Sequence, residues 1–301
     1  MFRIVTVDAR GLDVYEQLGT KSKFWYDHFR YLFKAGRAGT GENWAEVVCA
    51  GVAELIGLPH AHYELAETQG IADGSVVRGV STPNFTPRGA RLVLGNELIF
   101  GVSAGETSKA QTRRREHHTV SRLAAFMGIK SILPPLGWEA PDGGMSARGV
   151  MAGYLMLDAL VGNQDRHEEN WGLVRTAEAV HLAPTFDHAS SLGRNESDER
   201  RAMKLAAVRP DHGVPGYAAK AASQLYDKEH RRISTLEAFL QFSAYCREDA
   251  LYWLGRLRRM DEAAFRLLLD QVPSDWITEC ARDFAVQLLL ENKRRLLSEK
   301  L

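Results

Sequence analysis

The sequence predicts an α+β chain of two lobes, β-rich in front and mostly helical behind, with a cleft between them. Three observations carry that expectation. Up to about residue 100, short runs rich in β-branched and aromatic residues dominate, broken by one helix-like stretch. Further along, Leu, Ala, Arg and Glu recur at helical spacing, as in Asp261–Leu269 and Trp276–Leu297. Between them, residues 101–111 are polar and rich in Gly, Ser and Thr, which reads as a connector. The expected division is 1–100 for the front lobe, 101–111 for the connector and 112–301 for the back lobe.

Taken in order, Phe2–Val7 and Tyr31–Lys34 read as strands. Gly19-Thr20-Lys21-Ser22-Lys23 is a small polar turn running into the aromatic strand Phe24-Trp25-Tyr26. Asn43 reads as the N-cap of a helix from Trp44 to Ile56, closed by Gly57 and Pro59. Its apolar residues, among them Val47, Val48 and Ile56, cover one broad side. Residues 62–66 and 76–81 read as strands, and Arg91–Phe100 as the last strand of this half. Residues 113–128, 148–162 and most of 216–300 are helical in pattern. Trp171–Val174 and Val180–Leu182 suit a small hairpin, ended by Pro184.

The bulk numbers exclude some classes of function. Thirty-eight basic and 38 acidic residues give zero formal charge, so no global field favours nucleic acid or an anionic membrane. Direct nucleic-acid binding is therefore not expected. The run Arg113-Arg114-Arg115 with His117-His118 is the local exception, either a solvated helix face or an anion-seeking patch. Cys49, Cys246 and Cys280 lie far apart without a CxxC pair, which suits free thiols in a reducing compartment. No apolar run approaches the roughly 18–20 residues of a membrane helix. The first residues also lack the basic and apolar regions of a signal peptide. A cytoplasmic protein is the expectation, with export as an effector left open.

The chemistry concentrates in Val-Gly-Asn-Gln-Asp-Arg-His-Glu-Glu-Asn-Trp-Gly-Leu (161–173) and in Phe186-Asp187. Asp165, then Asn170, then Asp187 about twenty residues later give the spacing of a phosphoryl-transfer loop and its metal-binding strand. Such transfer needs a carboxylate to orient and deprotonate the attacking hydroxyl, and oxygen ligands to hold magnesium against the phosphates. The bland alternative is that Asp165 and Asn170 only form a turn and satisfy their own backbone. Lys34, ending its strand, can neutralise phosphates. Glu46 in the following helix is its expected ion-pair partner, with Glu42 as competitor. The turn 19–23 can cover phosphates with backbone N–H groups and the Lys21, Ser22 and Lys23 side chains, or be an ordinary hairpin turn. No Walker A, GxGxxG, GxSxG or HExxH pattern is present.

Together these residues resemble the bacterial HipA-like serine/threonine kinases, in a short form without that family's extra amino-terminal module. The likeness runs through Leu-Gly-Thr-Lys-Ser-Lys-Phe-Trp-Tyr (18–26), Leu-Phe-Lys (32–34), Gly-Glu-Asn-Trp-Ala-Glu (41–46) and Leu-Ile-Gly-Leu-Pro-His-Ala (55–61). It continues through Gly-Asn-Glu-Leu (95–98), the loop 162–172 and Leu-Ala-Pro-Thr-Phe-Asp (182–187). The loop is also similar to that of phosphatidylinositol kinases, which share Gly-x-x-Asp-Arg-His-x-x-Asn; the other motifs favour the HipA side.

The resemblance implies a two-lobed, protein-kinase-like fold binding ATP and Mg2+ in the cleft. By match to the family motifs, Asp165 would be the catalytic base, and His167 would brace its loop. Asn170 and Asp187 would hold Mg2+. Lys34, fixed by Glu46, would contact the phosphates, covered by Gly19, Thr20, Lys21, Ser22 and Lys23. Glu97, Ile99 and Phe100 would lie at the hinge near the adenine. The implied reaction carries the γ-phosphate to a protein hydroxyl, with Ser22, Ser190 and Ser191 as candidate self-phosphorylation sites. The family's toxins pair with a DNA-binding antitoxin, which makes an antitoxin-like partner an expectation. His188 rather than Phe-Gly follows Asp187, so control by a Phe flip is not expected. Two other readings stay open: a kinase for a small molecule or inositol lipid, and a nucleotide-binding module that acts through partners.

Overall fold

The computed structural model describes residues 1–8, 11–15, 22–69, 75–100, 117–141 and 144–301. Six strands form the front sheet: β1 (Ile4–Val7), β2 (Leu12–Tyr15), β3 (Lys23–Tyr26), β4 (Tyr31–Ala35), β5 (Glu64–Gln69) and β6 (Val76–Pro83). Their order is β1-β5-β6-β4-β3-β2, antiparallel except where β1 runs parallel to β5. Helix α1 (Glu42–Ile56) connects β4 to β5 and packs on β5 and β6 through buried Val47, Val48, Val52 and Ile56. Gly57 ends α1 in the left-handed conformation, φ 86°, as a glycine C-cap does.

Two expected boundaries are corrected. Helix α1 begins at Glu42 with Gly41 as N-cap, so Asn43 lies inside the first turn and caps nothing. A tertiary contact sets that start: Gly41 N donates to Arg194 O at 2.9 Å, and Ala45 N makes the first helical bond to Gly41 O. The stretch Arg91–Phe100 is not one strand. It divides into β7 (Arg91–Leu94) and α2 (Gly95–Phe100). Gly95 N and Asn96 N donate to Trp171 O and Glu168 O, each at 2.9 Å, so the loop 163–171 turns the chain away from extended structure.

β7 pairs antiparallel with β9 (Gly172–Arg175) in a second sheet, β7-β9-β10-β8, with β8 at Ile132–Leu133 and β10 at Val180–Leu182. β9 and β10 form the expected antiparallel hairpin. The helical part comprises α3 (Val120–Met127), α4 (Ala147–Val161), α5 (Asp198–Leu205), α6 (Val214–Ala219), α7 (Thr235–Ser243), α8 (Arg247–Arg258), α9 (Glu262–Leu269) and α10 (Glu279–Ser298). Helix α4 is mostly apolar, buried on nearly every side, and packs against α7, α8 and α10. A hairpin, β11 (Ala222–Tyr226) with β12 (Arg232–Ser234), interrupts the segment expected to be mostly helical. Burial in β11 alternates residue by residue, the period of a half-buried strand.

The main core is continuous from α1 through α4 to α10. No described helix is long and apolar enough to cross a membrane. The connector 101–111 and Arg113-Arg114-Arg115 lie outside the described residues.

Candidate active site

Helix α4 closes at Gly162, φ 67°, and releases the loop Asn163–Trp171. The loop is built around a residue the motif reading passed over. Arg166 is buried and donates twice to Asp158 on α4, Nε to Oδ2 and Nη2 to Oδ1, each at 2.8 Å. It also donates to Asn170 O at 2.6 Å, to Phe186 O at 3.4 Å and to Thr185 Oγ1 at 2.8 Å. One guanidinium thus ties helix, loop and the segment leading to Asp187. Burial opposes its charge, but Asp158 more than offsets this and the pKa rises. The legible signal was Asp158 itself, a carboxylate in an apolar helix, which needs a cation close by.

Asp165 sits on this frame. Its N–H donates to Asn163 Oδ1 at 3.1 Å, and its carbonyl accepts from Asn170 Nδ2 at 2.7 Å and from His167 N at 2.7 Å. Asn170 N donates to His167 O, and His167 Nδ1 accepts from Glu169 N at 3.1 Å, so His167 stands inside the turn. The turn-forming reading therefore accounts for the backbone of Asp165 but not for its carboxylate. That side chain is 46% exposed, with Oδ1 at 3.9 Å from His167 Nε2 and Oδ2 accepting from Ser190 Oγ at 3.4 Å.

Asp187 takes a left-handed backbone, φ 63°, which Asp tolerates better than most residues, and its N–H donates to Tyr63 OH at 3.2 Å. Lys34 Nζ stands 3.3 Å from Asp187 Oδ1 and over the Tyr63 ring, 5.6 Å from its centroid. Burial works against the ammonium, yet Asp187, with Tyr63 and Glu46 behind it, outweighs burial and raises the lysine pKa. The ion pair of Lys34 thus runs to Asp187, while Glu46 acts on it through its field. Glu46 Oε1 accepts the His188 backbone N–H at 2.6 Å. Glu42, the competitor, accepts from Arg37 N at 3.0 Å and pairs with Arg37 and Arg194. Neither Tyr63 nor His188 stood out as a site residue in the sequence.

Lys23 and Lys34 are directly opposed in the β3/β4 register, so their side chains share one face of the sheet. Ser22 O accepts from Ala35 N at 2.9 Å. Gly19, Thr20 and Lys21 lie outside the described residues. Near α2, Glu97 accepts from Leu94 N at 3.3 Å and pairs with Arg91, and Ile99 packs against the core. Only the backbone of Phe100 is described. Behind the loop, His118 is fully buried and accepts from Trp171 Nε1 at 3.0 Å; burial pushes its pKa down to about 3.

The donor set suits a hard cation bound together with a phosphate ligand. Asn170 spends Nδ2 on Asp165 O, which leaves Oδ1 as its donor, and Asp187 supplies a carboxylate already beside a positive charge. Mg2+ takes one or two protein carboxylates and completes its shell with water and phosphate oxygens. No three His, Cys, Asp or Glu side chains among the described residues gather as a metal cluster. A cleft of about 220 Å³ opens beside Asp165, lined also by Gln164, Ser190, Arg194 and Tyr217. A larger groove of about 600 Å³ lies elsewhere, between Met127–Pro134 and Tyr245–Asp249, and holds none of these groups.

No family model matches this chain, and no curated protein matches it by sequence. Among solved structures it is similar to the Helicobacter pylori proinflammatory kinase CtkA, with a TM-score of 0.68 and 20% identity over 96% of this chain and 94% of that one. It is also similar to HipA of Shewanella oneidensis MR-1, solved as a toxin–antitoxin complex with HipB and operator DNA. There the TM-score is 0.55 and the identity 12%, over 96% of this chain and 68% of that one. The chain therefore has the α+β fold that CtkA and HipA share, matching CtkA nearly end to end and about two thirds of HipA.

Proposed function

We propose that this chain is an ATP- and Mg2+-dependent serine/threonine protein kinase of HipA-like type. One observation carries the reading: on a kinase fold, Lys34 of the front sheet lies 3.3 Å from Asp187, whose neighbour Phe186 is tied by Arg166 to the loop carrying Asp165 and Asn170. Lys34 would bind the phosphates, with Lys23 on the same sheet face. Asn170 Oδ1 and the Asp187 carboxylate would hold Mg2+, which when bound neutralises the charge of the phosphates in transfer. The Asp165 carboxylate would orient the acceptor hydroxyl and take its proton as the oxygen bonds to the γ-phosphorus and ADP leaves. Glu97, Ile99 and Phe100 would border the adenine. The lobes would divide at the connector 101–111.

A protein acceptor is favoured by the resemblance of the motifs to HipA-like serine/threonine kinases; two proteins of this fold are described as a proinflammatory kinase and as part of a toxin–antitoxin system. HipA is solved with HipB, which supports an antitoxin-like protein partner here. The proposed compartment is the cytoplasm. Inositol lipid belongs in the assay because the Asp-Arg-His-x-x-Asn loop alone is indifferent to what carries the hydroxyl.

The test is transfer from γ-labelled ATP with Mg2+, comparing wild type with Asp165→Asn on the protein itself, generic protein substrates, a host lysate and inositol lipid. Label on serine or threonine that vanishes with the variant supports the proposal. Label on lipid alone moves the function to a lipid kinase. ATP bound without transfer to any of these leaves a nucleotide-binding module.

A further inference from the structure

Glu42 and Glu46 stand one turn apart on α1, and both are buried. Each reaches across to the chain that follows Asp187. Glu46 takes the His188 N–H, and Glu42 pairs with Arg194. The Glu42 branch continues to the candidate base. Arg194 Nη2 donates to Ser190 Oγ at 3.0 Å, and Ser190 Oγ donates to Asp165 Oδ2 at 3.4 Å. A serine hydroxyl has a single proton. With Arg194 supplying a donor to the oxygen, that proton is directed at the carboxylate. Backbone bonds lock the same arginine: Arg194 O accepts from Gly41 N at 2.9 Å, and Arg194 N donates to Ser191 O at 3.1 Å.

A purely structural role would end at Glu42, because a buried carboxylate needs a cation and Arg194, with its side chain only 11% exposed, supplies one. The bond onward to Ser190 serves no such need. It occupies one oxygen of Asp165 at the edge of the 220 Å³ cleft, which Ser190 and Arg194 both line.

We infer that Arg194 and Ser190 are positioning residues for Asp165. They fasten its Oδ2 to the start of α1 through Glu42 and leave Oδ1 to meet the acceptor hydroxyl. A displacement of α1 then reaches the base through a side-chain relay as well as through the backbone. The inference rests on the kinase reading above.

The experiment compares kcat and the KM for ATP, per folded molecule, in the full-length wild type, Ser190→Ala, Arg194→Lys, Arg194→Ala and the double Ala variant. Thermal unfolding gives the folded fraction. Loss of orientation at a reacting group predicts a kcat about tenfold lower for Ser190→Ala and for Arg194→Ala, with the KM for ATP within about twofold. The double variant should lose little more than either single one, because both act on one carboxylate. Arg194→Lys should recover part of kcat. Ser190→Ala with unchanged kcat, or losses that multiply in the double variant, would overturn the inference. So would a lower Tm with full turnover per folded molecule. A wild type that transfers no phosphate is a different outcome: it removes the kinase reading itself, and this role for Asp165 with it.

Discussion

Glu46 Oε1 accepts the backbone N–H of His188 at 2.6 Å, which fastens the segment after Asp187 to helix α1 through a buried carboxylate. The side chain of His188 extends the connection. Its Nε2 faces a donor of Arg166 at 3.1 Å, so the proton belongs on Nδ1, which is buried without a hydrogen-bond partner among the described residues, 3.8 Å from the same Glu46 oxygen. Burial, with Arg166 second, pushes the His188 pKa well below its ordinary value and keeps the ring neutral. The front helix, the segment carrying Asp187 and the candidate catalytic loop are thus one hydrogen-bonded body.

Removing that acceptor should be felt as stability. Glu46→Ala strands the His188 N–H in a buried place and should cost about 1–3 kcal/mol. Glu46→Gln keeps an oxygen there and should cost clearly less. Urea unfolding of the three proteins measures this, and an Ala variant as stable as wild type would contradict it.

The Asp158–Arg166 pair carries a larger penalty because both groups are buried. Arg166→Met leaves a carboxylate without its cation and should destabilise by about 3–5 kcal/mol. Asp158→Leu together with Arg166→Met should recover part of that loss, since no uncompensated charge remains. Unfolding midpoints of single and double variants test the pairing directly.

Lys34 gives the clearest functional separation. Lys34→Met removes the cation beside Asp187 and should lower kcat/KM for ATP by about 10²-fold, as when one preorganised electrostatic contact is lost. Steady-state kinetics at varied ATP checks it, and a variant with wild-type kcat/KM would refute the phosphate role.

Acid should weaken the fold through its buried histidines. His118 titrates near 6.5 when unfolded but is pushed down to about 3 in the fold. Between those values the unfolded chain binds the extra proton, so stability is full above about pH 6.5 and falls as pH drops towards 3. One such group changes the unfolding free energy by about 1.4 kcal/mol per pH unit in that window. His118→Gln can still accept from Trp171 and donate to Gln224 O, so its stability should fall less steeply between pH 6.5 and 5. An unchanged slope would show that His118 does not titrate on unfolding.

Adding a side chain at Gly95 should disturb the loop from outside it. A Cβ there would meet the Trp171 ring at 2.3 Å and Glu168 O at 2.6 Å. Gly95→Ala must move the loop or α2, and a lower Tm accompanied by reduced phosphoryl transfer is the expected outcome.

What the sequence determined by itself is what local spacing can encode. Alternation and β-branching marked the strands of the front half, 3.6-residue periodicity marked α1 and α4, and glycine marked their ends at Gly57 and Gly162. The motif 161–173 carried the candidate chemistry because Asp165 and Asn170 close one turn together. Its partners could not be read that way. Tyr63 and Lys34 meet Asp187 across more than 120 residues of chain, and Arg194 finds Glu42 across 152. No local pattern announces such a pair. The break between β7 and α2 had the same origin, since Gly95 and Asn96 bond to a loop more than seventy residues away. Tertiary structure decided these contacts because a buried charge or backbone N–H must find a partner wherever the fold places one, at whatever distance along the chain.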